Sequence, residues 1–133
     1  MISKHISYKE ATHSDTAKAK GISNVPNEVQ LAAMKLVAEK CFEPLREWYG
    51  KPIKVNSFFR NSLLNSKVNG SKTSQHVKGE AIDLSGGSKE ENKKLFDWCK
   101  ENLEFDQLIN EYDYTWVHIS YTVKNRKQIL VIK

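Results

Sequence analysis

The hydrophobic pattern changes period partway along the chain, and that change restricts the fold more than any other feature. Between Pro26 and Gly50, apolar residues recur at Leu31, Met34, Val37, Ala38, Cys41, Leu45 and Trp48, the spacing of one helix face. Pro26 suits the first helical turn. Pro44 lies inside the pattern and removes one backbone hydrogen bond, so a kink or restart is expected near Phe42 and Glu43. The last third reads differently: DQLINEY, WVHISYT and KQILVIK are short β-type runs, and the linker VKNRK suits an antiparallel hairpin between the last two. Helices first and strands later give an α+β class, expected as an antiparallel sheet with helices packed on one face.

Between these halves, KPIKVNSFFR reads as a strand through Ile53, Val55 and Ser57, and RNSLLNSKVNG as one or two helical turns closed by Gly70. GSKTSQHVKG has neither period and is bounded by glycines, so it is a loop leading into EAIDLS, where Ile82 and Leu84 share one face and Ala81 and Asp83 the other. Ser88 with Glu91 three residues on forms a capping box for a helix through about Glu101, with Leu95, Trp98, Cys99 and Leu103 near its apolar face. Residues 1–25 read as irregular turns laid over the core.

A chain of 133 residues accommodates one core, so residues 1–133 are expected to form a single domain. With 39% hydrophobic and 28% charged residues, the composition is not that of a disordered regulator. The net charge of +5 is scattered, with 10 basic and 6 acidic residues in 1–66 and 11 and 10 in 67–133. It favours encounter with polyanions in general, but forms no basic stripe interleaved with aromatics, and nucleic acid is not an expected partner. The start MISKHISYKEATHSD lacks the apolar stretch of a signal peptide, and no run has the length of a membrane span. A monomer made in the cytoplasm and not bound to a membrane is expected. Cys41 and Cys99 sit singly in helical patterns, which points to buried free thiols rather than a disulfide or a zinc knuckle.

His76 lies on the glycine-bounded loop, Asp83 on the strand after it, and His118 mid-strand in WVHIS, on one face with Trp116 and Ser120. Two imidazoles and one carboxylate make a donor set that zinc accepts, with a fourth position left for water. The plainer alternative is a hydrogen-bonded strand histidine and ordinary turn chemistry.

Three motifs in order carry a family resemblance: SFFR (Ser57 to Arg60), SQHVKGEAID (Ser74 to Asp83) and WVHIS (Trp116 to Ser120). The stretch from Ser57 to Ser120 resembles the M15 family of zinc peptidases, the D-alanyl-D-alanine carboxypeptidase and phage endolysin group, which shares its fold with the hedgehog signalling domain. HSDTAKAKGISNVP, FEPLREWYG and KPIKVNSFFRNSLLN extend the likeness to a short phage and bacterial subgroup, over nearly the whole chain. The resemblance implies zinc on His76, Asp83 and His118, and substrate contacts from Arg60 and Ser74. It implies a hedgehog/DD-peptidase-like fold and hydrolysis of peptidoglycan stem peptides, by a carboxypeptidase or an endopeptidase. Release as a phage or prophage lysin would bring such an enzyme to the wall.

One position departs from the family pattern. Many members carry an acidic general base three residues before the last histidine, where this chain has Thr115. Glu111 is the first substitute, since the resemblance to the short subgroup implies a glutamate at this place and a strand running back beside His118 would bring it to the metal, and Asp113 is the second. The same departure supports an alternative, a zinc-containing binding module without catalysis. Asn69, where relatives often have glycine, tolerates the left-handed turn. Ser57 and Gln107 fall in motif-like places, and Gln107 is read as a supporting residue rather than a substrate contact.

Overall fold

Two short helices, α1 (Tyr8–Thr12) and α2 (Asp15–Lys20), occupy the segment that reads as irregular turns. Ser7 Oγ accepts from the Glu10 amide at 3.0 Å and Ser14 Oγ from the Ala17 amide at 3.2 Å, while Gly21 ends α2 in the left-handed region at φ 66°. Helices this short do not hold alone in water; burial of Ile2, Ile6, Ala11 and Ala17 fixes them, a tertiary effect that sequence period does not reveal.

In the computed structural model, which describes residues 1–133, the long helix opens at Asn27. Asn27 Oδ1 accepts from the Gln30 amide and Gln30 Oε1 from the Asn27 amide, both at 2.8 Å. Pro26 therefore precedes the cap instead of sitting in the first turn. α3 (Glu28–Val37) passes through a π-helical turn at Ala38–Phe42 into α4 (Glu43–Tyr49). Pro44 has no amide hydrogen and its ring would meet the carbonyl one turn back; the wider π turn, closed by Glu43 N–H on the Ala38 carbonyl, accommodates it. The expected restart at Phe42 and Glu43 is thus present.

β1 (Lys54–Ser57), α5 (Ser62–Lys67), β2 (Ala81–Ser85) and α6 (Lys89–Asn102) follow as the sequence reads, with Ser88 Oγ accepting from the Glu91 amide at 3.1 Å. Asn69 adopts φ 58° after α5. Alternation in β2 sends Ile82 and Leu84 into the core, where they meet Met34, Val37, Phe42, Leu45, Leu95 and Cys99 from the helical side. Cys41 and Cys99 are free and buried; burial pushes the Cys41 thiol up to about 12 and the Cys99 thiol up as well. No helix is long and apolar enough to cross a membrane.

The remaining strands are β3 (Gln107–Glu111), β4 (Trp116–Ser120) and β5 (Gln128–Ile132), and the sheet order is β1-β2-β4-β3-β5. This corrects the expected terminal hairpin: both edges of β4 are taken, by β2 and β3, and β5 pairs in parallel with β3, from Gln107↔Gln128 to Glu111↔Ile132. β5 does run opposite to β4, but with β3 between them. One buried carboxylate sets that course. Asp106 accepts from Arg126 N at 3.1 Å, Nε at 2.9 Å and Nη2 at 2.7 Å, and Lys127, at φ 51°, turns the chain so that the Gln128 amide reaches the Asp106 carbonyl. The sheet is therefore antiparallel over four strands with a parallel edge, in an α+β fold.

Candidate metal centre and cleft

The strand register builds the site. Asp83 of β2 stands directly opposite His118 of β4, which in turn stands opposite Ile109 of β3; Trp116 stands opposite Glu111. Paired residues share a face, so Asp83, His118, Trp116 and Glu111 all lie on the side away from the core residues Val117 and Ile119.

His76 arrives from the loop between α5 and β2, and that loop is pinned on both sides. Gln30 Nε2 donates to the Val77 carbonyl at 3.0 Å. Gly79 passes so close to α3, at φ +75°, that a Cβ there would lie 2.5 Å from the Gln30 carbonyl oxygen, which gives the glycine of SQHVKG its physical reason. On the other side, Gln75 Nε2 donates to Asp106 at 2.9 Å, tying the loop to the carboxylate that directs β5.

His76 Nδ1 donates to the Phe58 carbonyl at 2.7 Å, which orients the ring so that Nε2 faces Asp83 Oδ2, 3.1 Å away. His118 Nδ1 lies 2.9 Å from Asp83 Oδ1. One ligand atom from each of the three residues falls within 4.8 Å of the others. Burial alone would raise the Asp83 pKa, but the charge of His76 and the hydrogen bonds from both imidazoles outweigh it and hold the carboxylate below its usual range. A buried ionised carboxylate between two oriented imidazoles, one backed by a carbonyl, fits a divalent cation of the zinc type.

The cluster opens into a cleft of about 940 Å³ whose lining includes Arg60, Ser74, Glu111 and Trp116. Arg60 Nη2 donates to Ser74 Oγ at 3.3 Å, and the Arg60 amide donates to the His76 carbonyl at 3.2 Å. Its Nε is buried with no partner in the chain, as a group would be that receives a ligand's oxygen. Burial lowers the Arg60 pKa, opposed by the charges of Asp83 and Glu111. The Glu111 carboxyl is raised, first by burial and then by the Asp83 charge. Asp113, the second candidate base, lies elsewhere: its carboxylate pairs with Lys89 on the exposed side of the β3–β4 turn.

Thr115 Oγ1 donates to the Tyr112 carbonyl at 2.6 Å and serves the turn. Gln107 has a supporting position, with its Nε2 on Gln128 Oε1 at 2.8 Å and its amide on Ser120 Oγ at 3.0 Å. Two residues that sequence reading passes over support the site. Asn24, 9% exposed, donates to the Phe59 carbonyl at 2.8 Å and accepts from the Asn61 amide at 2.8 Å, so the N-terminal segment fixes the backbone on both sides of Arg60. Asp106 braces the His76 loop through Gln75. A lone Asn before a proline-containing turn carries no signal for such a role; Asp106, opening a β-type run, reads as turn chemistry.

The family model described as Peptidase M15 matches residues 4–120, from ahead of α1 to the last residue of β4. Among proteins of curated function, none matches the chain.

Proposed function

The chain belongs to the peptidase M15 family, and from that premise we propose that it is a zinc-dependent peptidase cutting peptide bonds of peptidoglycan stem peptides. The observation that carries the reading is the pairing of a His76–Asp83–His118 cluster with a raised, partly buried Glu111 in the same cleft. His76, Asp83 and His118 would hold the ion. Zinc, when bound, supplies Lewis acidity that polarises a scissile carbonyl and lowers the pKa of water toward about 7.

The side chains divide the remaining work. Glu111 takes the proton of the attacking water and returns it to the leaving amine, a task suited to a carboxyl whose proton affinity is raised by burial. Arg60, positioned by Ser74, directs its guanidinium at a substrate carboxylate or at the oxyanion of the tetrahedral adduct. Stem peptides are rich in such carboxylates, and the net charge of +5 favours approach to an acidic wall. The protein acts as a monomer, and neither nucleic acid nor membrane is its target.

Digestion of purified peptidoglycan, with products identified by mass, tests the reading and identifies the bond cut. Glu111→Gln is expected to retain the metal while turnover falls by about two orders of magnitude or more. Near-normal turnover in that variant would remove Glu111 from the mechanism. Metal binding without cleavage by the wild type would leave a binding module of the same fold.

A further inference from the structure

The β3–β4 connection is built from a conformation that side chains avoid. Tyr112, Asp113 and Tyr114 are consecutive and all left-handed, at φ 52°, 54° and 62°, with no glycine among them. L side chains meet steric crowding in that region, so the turn persists only because its surroundings enforce it. The Tyr112 amide donates to the Ile132 carbonyl at 2.7 Å, the Tyr114 amide to Asn110 Oδ1 at 2.6 Å, and the Thr115 amide to the Glu111 carbonyl at 3.0 Å. Asn92 of α6, 1% exposed, donates to the Tyr114 and Thr115 carbonyls at 2.8 and 3.1 Å.

The strained turn ends in one contact that faces the cleft. Trp116 Nε1 donates to Glu111 Oε2 at 2.5 Å, between residues that the register places directly opposite each other. No group of the chain donates to Oε1. The Tyr112 ring stands edge-on to the indole, 5.2 Å between centroids. An indole has a single donor, so its one hydrogen bond fixes which carboxylate oxygen is engaged.

We infer that Trp116 is the positioning residue for Glu111: its indole N–H holds Oε2, so that Oε1 is the oxygen presented to the cleft, and the left-handed Tyr112–Tyr114 turn holds the two strand ends in place for that contact. The inference rests on Glu111 being the general base. A base must meet its proton at hydrogen-bond distance, and a freely rotating glutamate at a strand end would spend part of its time elsewhere. The charged groups acting on Glu111 are Arg60 after β1, His76 on the loop, Asp83 on β2 and His118 on β4. Trp116 adds the neutral donor that selects one oxygen.

Two measurements test this. In 1H–15N spectra of the metal-loaded protein, the Trp116 indole proton is expected far downfield of those of Trp48 and Trp98 and slow to exchange, and Glu111→Gln should move it back toward them. An indole signal that ignores Glu111→Gln overturns the inference whether or not a substrate is cleaved. In peptidoglycan digestion, Trp116→Phe keeps an aromatic ring without the donor; turnover is expected to fall about tenfold with bound metal unchanged, and the acid limb of the pH profile to move upward. Adding Trp116→Phe to Glu111→Gln should then cost nothing more. A full tenfold loss in the Glu111→Gln background would make Trp116 a structural residue only, whereas near-normal turnover of Glu111→Gln alone would instead strike the general-base reading.

Discussion

The central strands β2 and β4 and the outer strands β3 and β5 form one sheet, yet they are specified in different ways. In β2 and β4, alternation alone decides which residues face the core and which face the cleft: Ile82, Leu84, Val117 and Ile119 are buried on one side, and Asp83 and His118 meet on the other. At the outer side, placement depends on single polar residues. Asp106 sends β5 to β3, and Asn92 with Asn110 holds a turn that three non-glycine residues would not adopt alone. The family match ends at residue 120, so β5 also lies outside the shared pattern. Chemistry that depends on register is robust and easily recognised, whereas the parts that aim it are held by contacts distant in sequence.

The largest effect should come from the centre. Asp83→Asn keeps the shape of the side chain but removes the charge that both imidazoles address, and hydrolysis is expected to fall by about three orders of magnitude, or ~4 kcal/mol. Metal content measured alongside should drop below one equivalent. The fold should survive, since Ile82 and Leu84 supply the burial in β2.

A second substitution separates the edge from the centre. Asp106→Ala leaves Arg126 and Gln75 without their shared acceptor and is expected to cost about 2–3 kcal/mol, seen as a lower urea midpoint with early amide exchange in β5. The Arg126 guanidinium holds the Asp106 carboxyl down at about 2, against about 3.9 in an unfolded chain. Because the folded value is the lower one, this contribution is complete above about pH 4 and disappears as pH falls toward 2. Denaturation midpoints of Asp106→Asn should accordingly show a flatter decline across that window than those of the wild type. An equal decline in both would assign acid sensitivity to other carboxylates.

The smallest effect concerns the strained turn. Asp113→Gly relieves a left-handed residue at φ 54° and gives up only an exposed pair with Lys89. Stability is expected to change by about 1 kcal/mol or less, with strain relief opposing the entropy of glycine, and peptidoglycan hydrolysis to stay within about twofold. A loss of two orders of magnitude would return Asp113 to the role of base and displace Glu111.

These contrasts follow what the sequence could express. His76, Asp83 and His118 were legible chiefly through the motifs SQHVKGEAID and WVHIS that carry the family resemblance, with strand period placing Asp83 and His118 and the glycine-bounded loop placing His76. Arg60 and Ser74 follow from the same motifs, and the structure places them in contact. Glu111 was legible through the family resemblance together with strand direction, since a run returning beside His118 brings its far end to the cleft. The partner of β5 was not: two β-type runs joined by VKNRK look like neighbours, and only the buried Asp106–Arg126 contact shows that β3 comes between them. α1 and α2 escaped because five- and six-residue helices show no measurable period, although Ser7 and Glu10 stand at capping distance. Trp116 was visible as a motif residue, but its donor role depends on which residue lies opposite it.

Calorimetric titration of the metal-stripped protein with zinc, beside His118→Ala, tests the metal centre most directly. One equivalent bound by the wild type and none by a folded His118→Ala chain is the expected result. Absence of zinc binding by the wild type, or equal binding by both, would contradict the assignment of His76, Asp83 and His118 as a metal centre.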